Sequence, residues 1–230
     1  MRHTLACFLA LSTLTIAASS TLATTQQPTA PPPGHRQPDH MDRHFDDAER
    51  WAKEFDDPAR DAWQMPERVI EALALKPGQS VADIGAGTGY FSSRLARSAS
   101  GPTVYAVDIE PSMVAYLEAR AAKEGLENLR AVQASADSAN LPAPVDVVLV
   151  VDTYHHIPNR VAYFTSLRKS LKPGARLAIV DFRKDAPAGP PVEFRFTPEQ
   201  ISRELGAAGY ALAEQHDFLP RQLFLIYQVK

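Results

Sequence analysis

Cysteine is almost absent from this 230-residue chain, with Cys7 the only one. A single thiol excludes any disulfide within the chain. Basic tracts are missing as well: 24 Lys and Arg are dispersed among 27 Asp and Glu, for a net charge of −3, with no alternation of arginine and aromatics. That excludes the electrostatic footprint of a nucleic-acid binder. Nor is there an apolar run of the roughly 20 residues that a permanent membrane span needs.

The nearest approach to such a run is Leu5 to Ala18, mostly apolar, preceded by Arg2 and His3 and followed by small residues up to Ala23. Residues 1–23 have the charge, length and exit of a secretory signal peptide, so the expected location is periplasmic or secreted. Removing them removes Cys7, in keeping with an oxidising compartment. Thr4-Leu5-Ala6 ahead of Cys7 does not make a lipid-anchor site. Residues 24–41 hold five prolines and almost nothing apolar, the composition of a disordered, partly polyproline tether. His35, His40 and His44 read as a solvated tail, and no metal is expected.

From residue 42 to 74 the pattern turns helical. Phe45, Ala48, Trp51, Ala52 and Phe55 recur at helix spacing, Asp57 before Pro58 marks a helix start, and a further helix runs from Pro66 to Leu73. These helices are expected to form a lid of Trp51, Phe55, Trp63 and Met65 over whatever the core binds. Residues 75–230 then alternate strand and helix. Strands are predicted at 81–84, 103–107, 129–133, 145–151, 175–181, 210–217 and 222–229, with helices near 89–98, 111–124, 158–171 and from Thr197 to Gly209. Runs such as Val147-Val148-Leu149-Val150-Val151 are buried on both faces, which calls for a parallel sheet with helices on each side. The short Leu219-Pro220-Arg221 link forces the last two strands antiparallel. The fold class is α/β: a Rossmann-like seven-stranded sheet, mostly parallel, with an antiparallel C-terminal hairpin.

The chemistry starts at Val81-Ala82-Asp83-Ile84-Gly85-Ala86-Gly87-Thr88-Gly89. A strand ends in a glycine turn that lets the backbone approach a ligand, and a helix follows whose first N–H groups are expected to face it. Asp108 closes the next strand, where a carboxylate can accept both ribose hydroxyls. Glycines at 85, 87 and 89 differ from the dinucleotide fingerprint, and Asp83 suits an ammonium group better than a phosphate. The stretch resembles motif I of the class I S-adenosylmethionine (SAM) methyltransferases, with a general look of the small bacterial ubiquinone-biosynthesis-like enzymes. The resemblance implies SAM as cofactor. Asp83, Gly85, Ala86, Gly87 and Gly89 then hold its methionine end, Asp108 its ribose, and Ile109 packs on adenine. Asp137 and Ser138, in Ala136-Asp137-Ser138-Ala139-Asn140-Leu141-Pro142, meet the adenine amino group.

The fourth strand ends in Asp152-Thr153-Tyr154-His155-His156, beside the expected methyl, and the resemblance counts Asp152 among the cofactor contacts. His155 or His156 could take a proton from the acceptor, and Tyr154 could turn its ring toward the sulfonium. Arg183 to Phe196 is the long loop expected to admit a small-molecule acceptor. Two further readings remain: an exported SAM-binding protein without turnover, and an aminopropyltransferase. The second has Asp152 in its favour and lacks an acid where His155 stands. Export also conflicts with SAM, which is made in the cytosol.

Overall fold

The computed structural model describes residues 44–230, so the leader and the tether expected from the sequence lie outside the described residues. The strands are β1 (Ser80–Ile84), β2 (Thr103–Asp108), β3 (Leu129–Gln133), β4 (Val145–Val151), β5 (Leu171–Phe182), β6 (Tyr210–His216) and β7 (Gln222–Val229). The helices are α1 (Ala48–Phe55), α2 (Asp61–Gln64), α3 (Pro66–Ala72), α4 (Tyr90–Arg97), α5 (Pro111–Glu124), α6 (Arg160–Leu167) and α7 (Pro198–Ala207). The strands form one sheet in the order β3-β2-β1-β4-β5-β7-β6. β1 to β5 are parallel, and β7 is antiparallel to both of its neighbours.

Alternation along the strands divides the apolar residues between two cores. Val148 and Val150 face Phe164 and Leu167 of α6 and Ile201 and Leu205 of α7. Val147 and Leu149 face Val69 of α3, Leu95 of α4 and Leu117 of α5. Full burial of such a side chain is worth about 1.5–3 kcal/mol, so a strand apolar on both faces is stable only between two helical layers.

Local signals set the boundaries. Gly78, at φ +81, completes the turn in which the Gln79 N–H donates to the Lys76 carbonyl at 3.1 Å. Thr197 and Gln200 form the reciprocal capping box of α7. The helix expected over 158–171 begins instead at Arg160, after Asn159 in a left-handed conformation, and tightens into a 3₁₀ turn at Arg168–Ser170. β5 begins at Leu171 rather than 175. The Lys172-Pro173-Gly174 turn is absorbed as a register shift, with Val145 opposite Leu171 and Val147 opposite Arg176. The helix expected after Asp57 breaks in two. The Asp57 side chain does cap it, accepting from the Ala59 N–H at 2.9 Å, but only a 3₁₀ turn follows before α2.

Candidate cofactor and acceptor site

The glycine turn joins β1 to α4 at the carboxyl edge of the parallel strands. Gly85 is required on two counts: its φ is +74, and a Cβ there would lie 2.2 Å from Thr153 Oγ1 at the end of β4. The turn's first amides are directed at β2. Gly85 and Ala86 N–H both donate to the Val107 carbonyl, at 2.8 and 3.0 Å, and Gly87 N–H donates to Asp108 Oδ2 at 2.8 Å. The last glycine of the turn, Gly89, is left-handed and caps α4. β2 therefore holds the turn rigid.

Asp108 is buried, and its second oxygen accepts from the Glu110 N–H at 3.0 Å. Burial raises its proton affinity against these two backbone bonds. Each carboxylate oxygen can accept a further bond. Ile109 beside it is 52% exposed. Thr88 Oγ1, in the same turn, is buried with no hydrogen-bond partner among the described residues. Asp137 is exposed in a tight turn bridged by Ser135 and Ser138, and accepts from Ser135 Oγ at 2.7 Å. Ser138 Oγ accepts from the Asn140 N–H at 3.1 Å.

Asp83 departs from its expected place at an ammonium group. It is 2% exposed and accepts from Ser92 Oγ at 2.6 Å, so its carboxylate anchors the first turn of α4. Burial pushes it up to about 6, against the Ser92 bond.

At the reaction end Asp152, at φ +50, is gripped by two amides. Gln64 Nε2 donates to Oδ2 at 2.9 Å and Gln222 Nε2 to Oδ1 at 2.6 Å. Burial, and then the neighbouring Asp181 carboxylate, push Asp152 up to about 6. His155 is 3% exposed, and its Nδ1 lies 2.9 and 3.0 Å from the two oxygens of Asp181 at the end of β5. Burial pulls the imidazole's proton affinity down, but the Asp181 charge and hydrogen bond more than offset this, and the net direction is upward. His156 is half-buried, its ring 4.3 Å from that of His155 and edge-on to Phe45 at 5.6 Å.

Tyr154 is corrected. It is fully buried in the core, stacked on Phe164 and edge-on to Phe196, with its hydroxyl donating to Glu204 at 2.5 Å. Its ring therefore belongs to the core packed by α6 and α7.

The N-terminal helices cover this edge. Phe45, Trp51 and Phe55 cluster with Met113 and Tyr116 of α5, and the Phe55 ring lies against Gly87, 3.2 Å from where a Cβ would stand. Arg120 of α5 fixes the cover, donating to Asp56 at 2.9 Å and to the Thr88 carbonyl at 2.8 Å. Arg60 and Arg94 lie on the Tyr90 ring, at 4.1 and 4.0 Å. Trp63 lies apart, against Phe182.

Three functional candidates escaped the sequence reading. Asp181 had a signal: it is the acid that ends a parallel strand, as Asp108 does. Gln222 had a weaker one, since an antiparallel strand brings its first residue to the edge where parallel strands end. Gln64 had none.

An open sheet with one reversed strand, and a glycine turn tied to the acid of the next strand, defines the class: an α/β protein that holds a nucleoside at its carboxyl edge. A family model described as a methyltransferase domain matches residues 75–211, and the chain belongs to that family. Among curated relatives it is 33% identical over 122 residues to the 27-O-demethylrifamycin SV methyltransferase of Amycolatopsis mediterranei, covering 52% of this chain and 44% of that protein. To the ubiquinone biosynthesis O-methyltransferase of Xylella fastidiosa (strain 9a5c) it is 32% identical over 103 residues, covering 44% of this chain and 41% of that one. The chain thus spans less than half the length of these relatives. A SAM-dependent methyltransferase from Aquifex aeolicus superposes with a TM-score of 0.73 at 27% identity, covering 80% of this chain and 99% of that one.

The family's cofactor is SAM, and the residues present fit it. Asp108 keeps free lone pairs for two hydroxyls, Ile109 offers an exposed apolar side chain beside it, and Thr88 Oγ1 awaits a partner. Among the described residues no helix is long and apolar enough to cross a membrane.

Proposed function

We propose that this chain transfers a methyl group from SAM to a small-molecule acceptor. The observation that supports this best is the packing of Thr153 against Gly85, which sets the His155–Asp181 pair beside the cofactor turn. SAM supplies, when bound, a methyl on a positively charged sulfur. The protein's task is to align the acceptor and to manage its proton. Asp181 accepts the Nδ1–H of neutral His155, so Nε2 is the nitrogen that takes a proton from an acceptor hydroxyl or amine. Phe45 and Phe55 exclude water from the same edge.

Titration of the purified chain with SAM, with S-adenosylhomocysteine (SAH) as the product to be detected, tests the proposal. Asp108→Ala removes two charge-assisted bonds to the ribose and weakens SAM by about 2–4 kcal/mol. An unchanged titration overturns the assignment. The depth of His155 favours a second reading, binding without turnover. Steady SAH formation with any small-molecule fraction removes it. The leader read at residues 1–23 adds a periplasmic or secreted location to the proposal. Fractionation with mapping of the mature N-terminus tests this, and an intact Met1 in the cytosol overturns it.

A further inference from the structure

A cavity of about 330 Å³ opens between the β5–α7 connection and the start of β7, with Arg183, Lys184, Asp185, Phe196, Thr197 and Gln222 in its wall. That volume is at the small end of the roughly 300–1,000 Å³ of small-ligand sites. The charges in the wall cancel. Arg183 makes a two-point ion pair with Asp185, both contacts at 3.0 Å, and the other two charged residues of the wall, Lys184 and Asp217, are of opposite sign. Lys184 Nζ is directed at the Val192 carbonyl, 3.1 Å away. The wall therefore carries no net charge to favour an ion of one sign.

Gln222 adds a demand of its own. It is 1% exposed, and its Nε2 is committed to Asp152 Oδ1 at 2.6 Å. An ionised carboxylate only accepts, so the amide nitrogen must face Asp152 and the amide oxygen must face away. That oxygen is buried and has no hydrogen-bond partner among the described residues. A buried acceptor left unsatisfied is costly, and because Gln222 itself lines the cavity, a small turn of its side-chain amide brings that oxygen to a donor held there. Phe196, half-buried, offers an apolar ring in the same wall.

We propose that this cavity receives the methyl acceptor, and that Gln222 selects an uncharged small molecule carrying an O–H or N–H donor, with an apolar or ring face against Phe196. The proposal rests on the methyltransferase reading above. Gln222 also donates to Asp152, whose neighbour Asp181 holds His155, so this one side chain links the cavity wall to the proton-handling pair.

The test is a nuclear magnetic resonance titration of the full chain with phenol, aniline and anisole, with and without saturating SAH. The signals followed are the Gln222 side-chain amide and the Phe196 and Thr197 backbone amides. Phenol or aniline is expected to shift them saturably, and anisole, which has no donor, to bind about tenfold more weakly or not at all. Preference for phenol or for aniline tells oxygen from nitrogen acceptors. Equal shifts with anisole, or no shift at these three residues, overturn the proposal. Gln222→Leu is expected to abolish the discrimination, and its persistence overturns the role of the amide oxygen. Calorimetry with SAH is run alongside: failure to bind SAH overturns the methyltransferase reading, while the probe shifts without SAH judge the cavity separately.

Discussion

At His155 burial and a carboxylate pull in opposite directions, and the carboxylate prevails. The imidazole therefore holds its proton to a higher pH than the ordinary value of about 6.5. Catalysis that needs the neutral form rises with pH through that raised value. Asp181→Asn removes the opposing charge, so the acid limb of the kcat profile is expected to move to lower pH, while kcat falls by roughly 10²-fold. A rate profile over pH 5 to 9 checks both, and an unmoved limb removes His155 from proton transfer. The same pair contributes stability that is full below the ordinary histidine value and is lost as pH rises through the raised one. Sequence made His155 visible, because it stands where a strand meets the reaction edge. It did not show that Tyr154 belongs to the core, since an aromatic at a strand end is equally suited to either side, and only the neighbours Phe164 and Phe196 decide.

Among the elements, the central strands were legible almost to the residue. Apolar runs such as β4 have one stable environment, between two helical layers. The glycine turn was legible as a turn but not in its orientation: glycine spacing states that the backbone is free to bend, and only the Val107 carbonyl and the Asp108 carboxylate determine where the amides point. The cover formed by α1 was legible in its aromatics. Its attachment was not, because Arg120 lies 64 residues from its partner Asp56. Arg120→Ala cuts that link and the bond to the Thr88 carbonyl together. Faster amide exchange across residues 48–64 is expected, with SAM binding weakened several-fold and the core strands unchanged. Equal protection in the variant and the parent places the hold on α1 in the aromatic cluster instead.

Over the whole molecule the site draws on widely separated parts of the chain: the glycine turn after β1, the acids at the ends of β2, β4 and β5, the N-terminal cover and the first residue of β7. A ligand that bridges these parts stabilises all of them at once. SAH at about a hundredfold excess over its Kd adds about 2.7 kcal/mol, which for a chain of this size raises Tm by about 5–10 °C. NAD at the same concentration is expected to leave Tm unchanged, and the reverse result overturns the choice of nucleoside. These parts leave the ribosome in the order of the sequence. Gly85 and Asp108 emerge in the first half of synthesis, whereas Asp152 receives its second amide only when Gln222 has been made, 70 residues later. The reaction end is thus closed by the strand that is made last, and its geometry is complete only once β7 has docked between β5 and β6.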